Sequence, residues 1–237
     1  MGSFFNVVIS RLPNKESLLY PPSHCSNCGY SIPPWRNIPV ISYIMLRGKC
    51  SKCSTKIHWH HLLVEIVTPI LFVAIHLRYG FGTVIFFKYL ILTGFLIPIF
   101  FIDAFHQLIL HVTSIPLIVI GLGFALVPGN DIGIMNSLIT AGISFSLLLA
   151  MAWLFTKIKK REGLGGGDLW LITGLGASLG ALALPWILLL GSLLGILYFF
   201  VVVRSKEQVF AFGPFIVVGT MIWILGFDRL VLPLMYP

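Results

Sequence analysis

Charge is scarce in this chain: only 10% of its 237 residues are charged, and just eight are acidic. An ordinary soluble domain carries roughly a quarter of its residues as charges. Together with a hydrophobic content of 57%, the deficit excludes that class and points to a bilayer as the solvent. Long polar stretches are also lacking. Residues 11–61 form the only one, and uncharged apolar runs follow from Leu62 almost to the C-terminus. No secretory signal opens the chain, and the run from Ser3 to Ile9 is too short to cross a membrane by itself, so residues 1–10 are expected to be a partial first membrane segment. The formal net charge of +8 does not mark a nucleic-acid partner. Its basic residues lie in short loops between apolar runs, where topology explains them better.

What is present is an alternation of apolar runs and short connectors. A spanning helix needs about 20 mostly apolar residues, and candidate runs fall at 62–79, 84–103, 113–127, 134–156, 169–184, 186–203 and 211–232. Gly180 and Pro185 alone suggest the break between the fifth and sixth. The fold expected is an all-α, polytopic membrane helix bundle of about seven full spans plus the short N-terminal segment, in contact with membrane lipid. Three domains follow: 1–10, a cytoplasmic domain over 11–61, and a membrane-embedded domain over 62–237. Threading the chain across the bilayer puts thirteen Lys and Arg on the side of residues 11–61 and three, Arg78, Lys88 and Arg229, on the other. The richer side is cytoplasmic by the positive-inside rule. Asp103 then ends an inward-running helix and Asp168 begins an outward-running one, so both carboxylates sit at the cytoplasmic edge.

Among the acidic residues, Glu16, Asp131, Glu162, Glu207 and Asp228 fall in loops or near chain ends, where solvation suffices. Glu65, Asp103 and Asp168 lie within or against apolar runs, where an ionisable group costs about 2.5–3.5 kcal/mol on insertion scales and so usually has a task. A lone Asp168 would serve equally well as the N-cap of the run that follows it. As a pair, two aspartates at low dielectric share one proton, and one can act as base while the other acts as acid. Water can then attack a peptide carbonyl without metal or nucleophilic side chain. Gly165, Gly166 and Gly167 leave the backbone before Asp168 bare, open to an extended substrate strand or serving only as a flexible connector.

Cys25 and Cys28 form one CxxC and Cys50 and Cys53 a second, 21 residues apart. That spacing suits a tetrahedral four-thiolate zinc site, structural because it leaves no position open for water. Two disulfides are the alternative, which a cytoplasmic placement disfavours.

Six blocks in order, GSFFNVVISRLP, the CSNC to CSKC segment around NIPVISYIMLRGKC, LVE at Glu65, ID at Asp103, GGGD at Asp168 and FGPF at Phe212 to Phe215, resemble the bacterial type IV prepilin peptidases over most of the chain. The resemblance implies a GxGD aspartic peptidase of the bacterial inner membrane, with Asp103 and Asp168 as catalytic pair and Gly165 and Gly167 as motif glycines. Its substrates would be prepilins or pseudopilins, cut after a short basic leader on the cytoplasmic side. Methylation of the new N-terminal residue with S-adenosylmethionine would follow, the four-cysteine form accompanying the bifunctional enzymes. The resemblance names this donor, but no glycine-rich nucleotide motif offers a site for it. Glu65 and His106 are possible supporting residues. Departures occur where Trp170 replaces a lysine, His60, His61 and Leu62 replace Arg-Tyr-Pro, and Leu110 and His111 replace Pro-Asp. A GxGD peptidase without methyl transfer, and a transporter using intramembrane carboxylates, are the competing classes.

Overall fold

The structure is a computed structural model that describes residues 2–25, 27–160, 165–203 and 211–235. Arg161, Glu162, Arg204, Lys206 and Glu207, used above in counting charges, lie outside the described residues. The chain divides into two units, Met1–Val73 and Ala74–Pro237.

In the first unit, α1 (Gly2–Arg11) buries Phe5, Val8 and Ile9. A 3-10 turn (Pro34–Arg36), a short α2 (Ile41–Met45) and the start of α3 (Trp59–Tyr79) follow it. Glu65 on α3 is its polar centre. One carboxylate oxygen accepts from the Ser3 hydroxyl at 2.9 Å, the other from the Val40 amide at 2.7 Å. Val40 caps α2 with φ 63°, a left-handed conformation unfavourable for a β-branched residue, and the charged acceptor holds its N–H in place. Gly2 lies so close that a Cβ there would stand 2.8 Å from Glu65 Cα. Asn6 adds a bond to the His61 carbonyl at 3.0 Å. GSFF, NIPV and LVE, far apart in sequence, thus meet at one carboxylate.

The second unit contains α4 (Val84–His106), α5 (His111–Ala125), α6 (Ile134–Lys159), α7 (Gly166–Tyr198), α8 (Gly213–Ile222) and α9 (Asp228–Met235), with π-helical turns at Phe199–Val203 and Trp223–Phe227. Among the described residues, five helices are long and apolar enough to cross a membrane, and α5 is a shorter apolar helix. The fifth and sixth runs form the single α7, interrupted at Gly180, where φ 79° and ψ 178° leave the helical region. The break is therefore at Gly180 and not at Pro185, which lies inside the following helix. Glycine tolerates the positive φ, and Asn136 of α6 completes the break: its side-chain oxygen accepts from the freed Ala181 amide at 3.2 Å.

The first half of α7 is the centre of this unit, with every residue from Leu171 to Gly180 buried. Small residues let its neighbours approach closely, as is common between membrane helices. A Cβ at Gly121 of α5 would come within 2.6 Å of the Ala177 backbone, and one at Gly174 within 2.6 Å of Leu117 Cβ. Hydroxyls then bond across helices, Ser178 to the Leu117 carbonyl at 3.0 Å and Ser137 to the Ala177 carbonyl at 2.5 Å. By contrast, α6 exposes Leu138, Ile143, Leu147 and Trp153, an apolar face suited to lipid.

Two of the acidic residues assigned to solvation turn out to have cationic partners. Asp131 pairs with Lys88, whose side chain is 0% exposed, and also accepts from Tyr89. Asp228 pairs with Arg78. Removing one partner of a buried ion pair leaves the other charge stranded, at a cost of about 3–5 kcal/mol. Asp131→Ala, which strands the fully buried ammonium, is expected to lower the melting temperature in detergent more than Lys88→Met, which strands a carboxylate still 28% exposed. The double variant Lys88→Met/Asp131→Asn is expected to melt above Asp131→Ala. Melting of all three at the wild-type temperature would show that the pair contributes nothing.

Candidate active site and metal centre

Three helix ends converge on the two aspartates. Asp103 lies in the last turn of α4, 5% exposed. The helix stops three residues later because Gln107 adopts φ 52° and returns its N–H to the Asp103 carbonyl at 2.8 Å. Asp168 lies in the first turn of α7, where the helix dipole favours a carboxylate. Its own amide bonds the Gly165 carbonyl at 3.1 Å. The two carboxylates are within Coulombic reach of each other.

The third end is α8. Its first residue, Gly213, packs directly against the Asp103 carboxylate, bringing the positive end of a second helix to the site. A Cβ at Gly213 would clash with Asp103 Oδ2 and stand 2.8 Å from Ile109 Cδ1. Ile109, buried in the α4–α5 connector, reaches both sides: a Cβ at Gly167 would stand 2.5 Å from the Ile109 carbonyl oxygen and 2.6 Å from its Cβ. Gly167 is thus bare so that Ile109 can pack on it, not to admit a substrate strand. Gly165 and Gly166 remain exposed, and a Cβ at Gly165 would lie 3.2 Å from Asp168 Oδ2.

Gly213 and Ile109 were not among the candidate site residues. The FGPF block was visible in sequence but carried no role, and nothing in the sequence singles out Ile109. Of the supporting candidates, His106 lies exposed at the end of α4, and Glu65 organises the first unit as described. His111 and Trp170, two departures from the family pattern, meet edge to face with ring centroids 6.3 Å apart. Trp170 also meets Phe145 at 5.3 Å.

Cys25, Cys28, Cys50 and Cys53 converge in the first unit, all four Sγ atoms within 4.8 Å of one another. Two alike knuckles present them. Cys25 N–H bonds the Tyr30 carbonyl and Cys50 N–H the Thr55 carbonyl, both at 2.9 Å. Gly29 at φ 67° and Ser54 at φ 58° turn the chain after each CxxC. The thiols are free, with Cys25–Cys53 at 3.8 Å and Cys28–Cys50 at 4.0 Å, near the roughly 3.8 Å edge of a tetrahedron with metal–sulfur bonds of about 2.3 Å. The Thr55 hydroxyl and amide, with Asn27, hold the Cys53 thiol down to about 5. At Cys28 the Tyr30 amide pulls the same way but is outweighed by desolvation and the three neighbouring sulfurs, which push the thiol up to about 11. Sulfurs this close do not all ionise without a cation among them, so the donor set fits a tetrahedral metal ion.

These features define a polytopic helical membrane protein with a carboxylate pair at converging helix ends and a four-cysteine cluster able to hold a metal ion. Residues 1–79 match the family model of the bacterial peptidase A24 N-terminal domain, and residues 90–200 that of the type IV leader peptidase family. The chain belongs to the type IV leader peptidase family. It is 36% identical to the prepilin leader peptidase/N-methyltransferase of Neisseria gonorrhoeae, over 95% of this chain and 86% of that protein. Identity is 35% to the protein of that name from Dichelobacter nodosus (95% and 88% covered) and 33% to that from Pseudomonas aeruginosa (97% and 88%). No solved structure matches the chain.

Proposed function

We propose that this chain is a bifunctional prepilin leader peptidase and N-methyltransferase, cutting prepilins or pseudopilins through Asp103 and Asp168. The convergence of these two carboxylates at three helix ends, in a chain that aligns almost end to end with enzymes of that name, carries the proposal. With one proton between them, one carboxylate takes a proton from water as its oxygen attacks the scissile carbonyl, and the other donates a proton to the carbonyl oxygen. Collapse of the tetrahedral intermediate returns a proton to the departing amine. The start of α8 at Gly213 packs against the Asp103 carboxylate and limits its movement throughout. The exposed Gly165 and Gly166 give the substrate backbone access beside Asp168.

The working orientation is the inner membrane with both aspartates and the four-cysteine domain on the cytoplasmic side. Its support is the charge asymmetry and the sorting of contacts within the second unit: Lys88–Asp131 and Arg78–Asp228 at one end, Asp103, Asp168 and Gly213 at the other. Such sorting is what seven alternating crossings require, with α5 and each half of α7 crossing once. The domain limits 1–10, 11–61 and 62–237 are kept as the functional division.

Zinc is the proposed metal, held by Cys25, Cys28, Cys50 and Cys53, where it would supply structure to a polar segment with little core of its own. Cys28→Ala is expected to abolish stoichiometric zinc in the purified protein and to lower the melting temperature. Unchanged zinc content by elemental analysis would overturn the assignment. The methyl donor proposed is S-adenosylmethionine, on the strength of the relatives' names, with no residues assigned to it.

Incubating the purified protein with a prepilin, with and without labelled S-adenosylmethionine, tests the proposal by product mass. Loss of the leader, followed by a labelled methyl group on the new terminus, is expected. An intact prepilin would refute the peptidase, and an unlabelled product the transferase.

A further inference from the structure

The polar first unit carries an apolar face that the cleavage chemistry does not use. Successive residues of α2 point about 100° apart, which gathers Ile41, Ile44 and Met45 on one side and puts Ser42 and Tyr43 on the other. A water-soluble domain would turn the first group inward. Here the polar pair is the half-buried one. The Ser42 hydroxyl accepts from the Ile38 amide at 3.1 Å, and the Tyr43 hydroxyl donates to the Ile57 carbonyl at 3.4 Å. Ile41, Ile44 and Met45 are 54%, 64% and 77% exposed.

Two hydrogen bonds fix the depth of this face. α2 lies beside the opening turns of α3, a helix long and apolar enough to cross a membrane. The apolar run of α3 opens at Leu62, and Glu65, about one turn further in, accepts from the amide of Val40, the cap of α2. From that level α2 leads back to the Tyr43 bond with Ile57, which precedes α3 in the chain. The face is therefore held where α3 passes from headgroups into hydrocarbon, a layer into which an apolar helix face sinks about 5–10 Å. Charge agrees with that setting. Between Glu16 and Glu65 the chain has no acidic residue, yet it has Arg36, Arg47, Lys49, Lys52 and Lys56, all exposed. Four thiolates around a divalent cation offset only part of this charge. Trp35 and Trp59, also exposed, belong to the residue type enriched at membrane–water boundaries.

We propose that α2 is an interfacial foot: Ile41, Ile44 and Met45 lie among the acyl chains at the edge of the adjoining leaflet, and Arg36 and Arg47, before and after α2 in the chain, contact the phosphates of anionic phospholipid. A protein partner fits less well. Each side of a stable protein interface buries about 800 Å², more than one convex turn of helix offers, and helix recognition uses anchors spaced over two turns and a groove to receive them. A leaflet imposes neither demand, and α3 presents Ile66, Ile70 and Val73 exposed in the turns that follow. The foot tethers the second cysteine knuckle, which follows α2 in the chain, to the membrane surface. It stands independently of whether Asp103 and Asp168 cut a prepilin.

The test uses the full-length protein in nanodiscs of mixed phosphatidylcholine and phosphatidylglycerol, with and without an added prepilin. Photoreactive benzoylphenylalanine replaces Ile44, Met45 or, as the inward-facing control, Tyr43, and mass spectrometry identifies what each position captures. Lipid adducts at 44 and 45 are expected several-fold above the yield at 43, with phosphatidylglycerol captured beyond its share of the disc. Adding Arg36→Gln and Arg47→Gln is expected to cut that excess by at least roughly five-fold, the factor one basic side chain contributes near an anionic surface. Melting temperatures identify a variant that has not folded, and the two outward positions report independently of each other. Capture of prepilin or of a second copy in place of lipid, no adduct at either outward position, or equal lipid capture at all three positions would overturn the foot. Capture of the two lipids in proportion to their content would overturn the arginine contacts. No outcome depends on leader cleavage, so a failure here is separable from a failure of the peptidase assignment.

Discussion

Asp103→Asn and Asp168→Asn each reduce leader cleavage by at least about a thousand-fold, within the range that positioned acid–base groups contribute, and neither moves the melting temperature by more than a few degrees. The substitution is nearly isosteric. At position 103 the Asn side chain fills the same space against Gly213, so the junction of α4 and α8 survives. What is lost is the exchangeable proton: a carboxamide neither takes a proton from water nor delivers one to a carbonyl. The double variant is expected to be no slower than the worse single, since the carboxylates act as one unit and losses within a unit do not add. Leader cleavage within ten-fold of wild type by either single variant, followed by mass or gel shift, would remove the pair from the mechanism.

Much of this organisation was legible in the sequence because the forces that set it are strong and local. A 20-residue apolar run in a bilayer has to satisfy its backbone internally and becomes a helix, so the elements of the second unit follow the apolar runs closely. Asp103 and Asp168 stood out for the related reason that charge against an apolar run is costly. What escaped was set by tertiary contact. Gly180 and Pro185 both looked like breakers, yet only Gly180 breaks the helix, because Asn136 on a different helix supplies the acceptor that the freed Ala181 amide needs. Asp131 and Asp228 looked solvated because their partners, Lys88 and Arg78, lie 43 and 150 residues away. Gly167 appeared to be a bare approach for substrate, and only the fold reveals Ile109 filling the space. The FGPF block was recognisable as a pattern, but its role depends on Gly213 meeting Asp103, a contact with no local signature.

That contact makes Gly213→Ala the second large effect. The new Cβ would clash with Asp103 Oδ2 and press on Ile109 Cδ1 at 2.8 Å, so either the carboxylate turns away or the start of α8 retreats. In both cases Asp103 loses its packing against the start of α8. A displacement near 1 Å in an active site can cost about a hundred-fold, and kcat is expected to fall by that factor. Gly167→Ala meets backbone, 2.5 Å from the Ile109 carbonyl oxygen, so it is expected to lower the melting temperature as well as the rate. Among the described residues Gly165→Ala meets only the Asp168 carboxylate, at 3.2 Å, and it is expected to be the mildest of the three. The order separates two roles for motif glycines: room for a carboxylate at Gly213 and room for a packed backbone at Gly167. If Gly213→Ala cleaves as fast as Gly165→Ala, the start of α8 does not hold Asp103, and the third helix end drops out of the site.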